Sequence, residues 1–141
     1  MNTAVTMRDA IISGLQALGL MNFAVSRELP WDAAGTPLYI KNPKTFYVTM
    51  PESQESALFN TLCAGQAPSL ASRETVISAF VLVDAKNLPA NYPELSDSVP
   101  TVKNTAGITG VRSREVDVNT TFEADALLTE FVFRFTEMKI N

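Results

Sequence analysis

This chain of 141 residues contains no histidine. That absence removes the commonest general base of enzyme sites and the commonest transition-metal ligand. There is one cysteine, Cys63. A single thiol excludes an intramolecular disulfide framework, fits a reducing compartment and cannot by itself build a thiolate metal centre. As a nucleophile Cys63 would need a base other than histidine, so a buried or partly buried structural thiol is the simpler reading. The six glycines are dispersed, and none belongs to a phosphate-cradling loop after a strand. Charge is sparse as well. Eleven Lys and Arg are scattered and outnumbered by fifteen Asp and Glu, for a net charge of −4. That field has the wrong sign for phosphate affinity, so no sequence-specific nucleic acid is expected as a partner. No window reaches the ~18 uninterrupted apolar residues that a membrane helix requires, so no membrane partner is expected. Ala10–Val25 is fairly apolar, but Asp9 directly follows Arg8, and Ser13, Gly14, Gln16 and Asn22 interrupt the run. It reads as a helix leading into a strand rather than a secretory signal.

What is present describes architecture. Hydrophobic residues make up 46% of the chain, enough for a packed core, and the length suits one domain spanning residues 1–141. Leu127–Met138 alternates. Leu127, Thr129, Phe131, Phe133 and Phe135 share one face, and Leu128, Glu130, Val132, Arg134 and Thr136 share the other. This is the pattern of a half-buried strand of an antiparallel sheet packed on something apolar. At the other end, Met7, Ile11, Ile12, Leu15 and Leu18 make one helical stripe. Thr6 is the expected N-cap with Asp9 completing a capping box, Gly14 is expected to permit close packing on a sheet, and Gly19 is a natural stop.

Between these lie further elements. Met21–Leu29 reads as a strand. Pro30–Pro37 reads as a loop carrying Trp31, followed by Tyr39. Thr45–Met50 is a strand that Pro51 ends. Residues 52–70 are open to two readings: a short helix capped by Ser53 and running through Leu58, Phe59 and Leu62, or an extended arm. Glu74–Asp84 is a strand apolar on both faces, which implies a central position covered on both sides; a neighbouring subunit is one way to supply a cover. Asn87–Ala106 has helical spacing at Tyr92, Leu95, Val99, Val102 and Ala106, with Pro100 marking a kink or a fresh start capped by Ser98. Val111–Thr121 then pairs with the last strand as an antiparallel hairpin through a Phe122–Ala126 connection. The fold class is α+β: a mainly antiparallel sheet with two helices packed on one face and a C-terminal β-hairpin.

The candidates for chemistry are few. Glu115 and Asp117 lie two apart on a strand and share a face. They suit either an acid pair or a solvated strand face, with Arg112 and Arg114 offset on the other side. Asn119-Thr120-Thr121 fits the glycosylation pattern without an export signal to accompany it. Trp31 and Tyr39 form a candidate partner-contact loop, or they fold back over the core. Neither catalytic, cofactor-binding nor metal-ligating residues are assigned.

The order of elements resembles the tail terminator proteins of long-tailed bacteriophages, the lambda-type group with a non-contractile tail. The resembling parts are the helix Met7–Leu18, the strand and turn Ser78-Ala79-Phe80-Val81-Leu82-Val83-Asp84-Ala85-Lys86-Asn87-Leu88-Pro89, and the ending Glu123-Ala124-Asp125-Ala126-Leu127-Leu128-Thr129-Glu130-Phe131-Val132-Phe133-Arg134-Phe135. The Trp31 loop and residues 52–70 do not map onto that layout. The resemblance implies a homohexameric ring at the head-proximal end of the tail. Such a ring stops polymerisation of the tail tube and offers a surface for head–tail joining. It implies as partners further copies of the chain, the tail tube protein and a head–tail connector or neck protein. It implies a place in the virion tail or neck, reached from the host cytoplasm, and neither catalysis nor cofactor. Three other readings stay open: another neck component (a head-closure or tail-completion protein), a small non-enzymatic binding module with an apolar pocket, and an enzyme working through Glu115 and Asp117.

Overall fold

A computed structural model of the chain describes residues 3–18, 24–26, 45–48, 52–59, 70–84, 86, 88, 92–123 and 126–140. Helix α1 spans Ala4–Leu18. It starts earlier than the expected Thr6 cap, because Thr3 and Thr6 cap it reciprocally. The Thr6 N–H donates to Thr3 Oγ1 at 3.1 Å, and the Thr3 N–H donates to Thr6 Oγ1 at 2.8 Å. This is a capping box in which a threonine hydroxyl takes the place usual for Glu or Gln. Thr6 is thus the third residue of the helix, and Asp9 lies a turn inside it.

Strands β1 (Ala24–Ser26), β2 (Thr45–Val48), β3 (Glu52–Phe59) and β4 (Leu70–Asp84) follow. Residues 52–59 are therefore strand, which settles that part of the ambiguous stretch. Residues 60–69 lie outside the described part, as do Gly19, Trp31, Tyr39 and Cys63. Helix α2 (Glu94–Ser98) passes directly into a 3-10 helix (Val99–Asn104), and strands β5 (Ser113–Glu123) and β6 (Ala126–Ile140) complete the order. The change of helix type falls where Pro100 stands, second in the 3-10 segment. Proline lacks the N–H for the longer α bond, and its ring crowds the carbonyl four residues back. Ser98 occupies the cap position expected of it but makes no side-chain cap bond. Ala106 is exposed and not part of the buried stripe; Ile108 is buried instead.

The sheet runs β1-β2-β4-β6-β5, with β3 also on β4. Among the described strands only β1 and β2 pair in parallel. β4 and β6 pair antiparallel along their whole length, from Leu70↔Ile140 to Asp84↔Ala126. The other edge of β4 is divided: β2 pairs with Ala79–Val81, and β3 with Leu70–Val76. From Val48 to Glu52 the chain takes four steps while its partner takes three, Ala79 to Val76. Residues 49–51, including the Pro51 expected to end the strand, lie outside the described residues. The hairpin is longer than the expected 122–126 connection allowed, since Phe122 pairs with Leu127 and Glu123 with Ala126.

The core lies between the sheet and the helices on one of its faces. Met7, Ile11, Ile12 and Leu15 of α1 and Leu95, Val99, Val102 and Ile108 of the following segment pack on Phe46, Val48, Ile77, Ala79, Val81, Val83, Leu127, Phe131, Phe133 and Phe135. The three phenylalanines are fully buried, and each contributes roughly 1.5–3 kcal/mol relative to an exposed side chain. Ala79 opposite Phe131 leaves room for the ring. Gly14 does permit a close approach, but to the 3-10 helix rather than the sheet: a Cβ there would lie 2.7 Å from Val102 Cγ1. Gly107 matches it, with a Cβ falling 2.8 Å from that of Ala10. The two glycines let α1 rest directly on residues 99–108.

Candidate interaction surface

The two carboxylates singled out from the sequence stand on the sheet face away from the helices. Asp117 Oδ2 accepts a hydrogen bond from Arg134 Nε at 3.2 Å, and Arg134 Nη1 stands 3.7 Å from Glu74 Oε1. Glu115 is exposed and pairs in register with Arg134. Asp117, Arg134 and Glu74 thus form a charge row across three strands, with side chains 61%, 38% and 47% exposed. Such a row is screened by solvent and suits a wetted face. Among the described residues no group of three or more His, Cys, Asp or Glu side chains gathers to hold a metal. Nor is any described helix long and apolar enough to cross a membrane.

Arg114 belongs to the opposite face, as its offset from Glu115 predicts, and has a structural task that sequence reading missed. Its guanidinium donates to the carbonyls of Lys103 (2.8 Å) and Thr105 (3.5 Å) through Nη1, and to that of Ile108 through Nη2. Carbonyls at a helix C-terminus lack intrahelical donors, and a cation there meets both the hydrogen-bonding need and the dipole. The signal was present in the alternation: Arg114 has the parity of Val116, so a charge on the core-facing side had to find acceptors. Tyr92 ties the other end of this segment to the sheet, sharing a hydrogen bond with Thr129 Oγ1 at 2.6 Å. Arg73 and Glu137, cross-strand neighbours, close the far end of the same face with contacts of 2.7 and 3.2 Å.

Burial on the face away from the helices falls from one side of the sheet to the other. Tyr47 is 1% exposed, Leu82 4% and Val132 7%. These side chains are covered within the single chain, so a neighbouring subunit, one way to supply that cover, is not needed there. Across the row from Leu82 comes Leu128, half-buried, and then Thr121 of β5, exposed. On the helix side β5 is similarly bare past Val116. Val118 is 40% exposed and Phe122 74%. Among the described residues no strand but β6 pairs with β5. Among the described residues the outer edge of β5 is therefore unpaired, and both faces are exposed over residues 117–122. Asn119 of the glycosylation-like triplet sits in this exposed stretch. The candidate contact residues Trp31 and Tyr39 lie outside the described residues.

No protein-family model matches the chain, and no curated protein matches it. Seventeen chains of solved structures do. One belongs to the virion of a native gene transfer agent particle. It is 15% identical, with 94% of each chain covered and a TM-score of 0.45. A likeness of that strength carries no function across.

Proposed function

We propose that this chain is a structural virion protein that forms a ring at the head-proximal end of a phage tail, stops polymerisation of the tail tube and provides the surface for head–tail joining. The observation that carries the reading is the order and layering of the elements. An amphipathic N-terminal helix and a mid-chain helix share one face of a mainly antiparallel sheet that ends in a long hairpin. This is the layout that the resemblance to tail terminators implies. The surface chemistry suits the role. Ring closure requires shape, hydrogen-bonding edges and charge placement, but no reactive group, and the sheet offers an open edge strand in β5. Its partners are then further copies of the chain, the tail tube protein and a neck protein.

Deleting the gene from its phage tests this. The expected outcome is tails of uncontrolled length without attached heads, seen by negative-stain microscopy. Tails of normal length joined normally to heads would overturn the reading. Tails of normal length that fail to join heads would favour a different neck component over the terminator.

A further inference from the structure

The open edge of β5 has a property that the ring reading does not use: it is complementary to itself in one register. A strand with a free edge invites pairing unless something discourages it. Two copies of β5 related by a two-fold axis perpendicular to the sheet would run antiparallel, with equivalent faces on the same side. The registers with the greatest overlap differ by which residue lies on the axis. Centring on Asp117 sets Asp117 against its own copy. Centring on Val116 sets Glu115 against Asp117, centring on Asn119 sets Glu115 against Glu123, and centring on Thr120 sets Asp117 against Glu123. Like charges directly opposite destabilise a pair. Centring on Val118 avoids all of these. It sets Val118 against Val118, Val116 against Thr120, Asp117 against Asn119, Glu115 against Thr121, and Phe122 against Arg114.

We infer that free copies of this chain pair through their β5 edges, antiparallel and centred on Val118, to form a two-fold dimer. The exposed side chains agree with the register. Val118 and Phe122, the two most apolar side chains bared on β5, lie on the helix-side face. There each meets a complementary group: Val118 its own copy, and Phe122 the guanidinium of Arg114, held in place by the carbonyls of residues 103–108. A cation held near an aromatic ring is a favourable neighbour. Both helix layers fall on the same side of the joined sheet. A two-fold contact closes on itself and does not propagate. The dimer is thus a state of the free protein that hides the β5 edge, and a ring would require a different contact. The inference stands independently of the proposed function.

Cysteine cross-linking on the full chain, in a Cys63→Ser background, tests the register directly. Residues directly opposite in an antiparallel pair have Cα atoms about 4.5–5.5 Å apart, within the range a disulfide spans. The Val118→Cys chain should therefore give a disulfide-linked dimer on mild oxidation. Thr120→Cys places its two thiols roughly 13 Å apart along the strands and should cross-link at least ten-fold more slowly. In light scattering the unmodified chain should show a concentration-dependent mass approaching two copies. Val118→Lys, which sets two like charges together on the axis, should shift it to one copy with an unchanged circular dichroism spectrum. A monomer at all concentrations, equal cross-linking at positions 118 and 120, or a dimer indifferent to Val118→Lys would each overturn the inference.

Discussion

The two strands of the C-terminal hairpin are neighbours in sequence and in space, yet they live in different surroundings. β6 lies between β4 and β5, and its Phe131, Phe133 and Phe135 are completely enclosed under the helices. β5 has the same alternation, but only Val116 reaches the core cluster, while Val118 and Phe122 stay in contact with solvent. The rung that joins Val118 to Phe131 sets a side chain 40% exposed beside one fully buried. Alternation identifies a strand; it does not say how far the helix layer reaches. The width of that layer is fixed by α1 and residues 94–108, which end over Val116.

The comparison can be broken most sharply at Phe133. Phe133→Ala should lower the unfolding free energy by about 3–5 kcal/mol, the usual loss for a buried ring that leaves a cavity, as read by urea denaturation. A loss under about 1 kcal/mol would mean that the helix layer does not seal the sheet. Arg114 comes next, because its guanidinium fastens β5 to the helix layer. Arg114→Met keeps the stem but removes the donors from three carbonyls. It should cost roughly 1.5–3 kcal/mol, the value of hydrogen bonds to a charged group, and should speed amide exchange in residues 99–108 before the rest of the sheet. The smallest effect is expected at Phe122. Phe122→Ser should change chain stability by within about 0.5 kcal/mol, as for other surface positions, although it removes as large a ring as Phe133→Ala does. A large loss there would place Phe122 in the core and erase the contrast between the strands.

Much of the fold could be read in the sequence where one face is strongly apolar. The stripe Met7, Ile11, Ile12 and Leu15 and the phenylalanine row of β6 each carry enough buried area to impose their own period. The α+β class and the hairpin follow from them. Illegible features were those decided by distant neighbours. Residues 52–59 (Glu-Ser-Gln-Glu-Ser-Ala-Leu-Phe) lack alternation, and their strand state comes from the edge that β4 presents to them. The cap of α1 went to Thr3 rather than Thr6 because both hydroxyls can serve, and the reciprocal pair satisfies two N–H groups instead of one. Gly14 advertised a close contact, but only the fold shows that Val102 makes it. For the interaction surface, alternation separated the acidic and apolar sides of β5 correctly. Its place at the rim of the sheet follows from strand order, which no local pattern encodes.

The division of β4's outer edge between β2 and β3 has a consequence in time. Opening a rung of β4 there means parting from β6 and from a second strand as well, whereas among the described strands β5 is released by parting from β6 alone. Regions that open together exchange their amides together, at a rate set by the largest structure that must come apart. The middle of this sheet thus keeps slow time and its rim fast time, and any partner recruited by the rim meets a strand that breathes while the frame behind it stays shut.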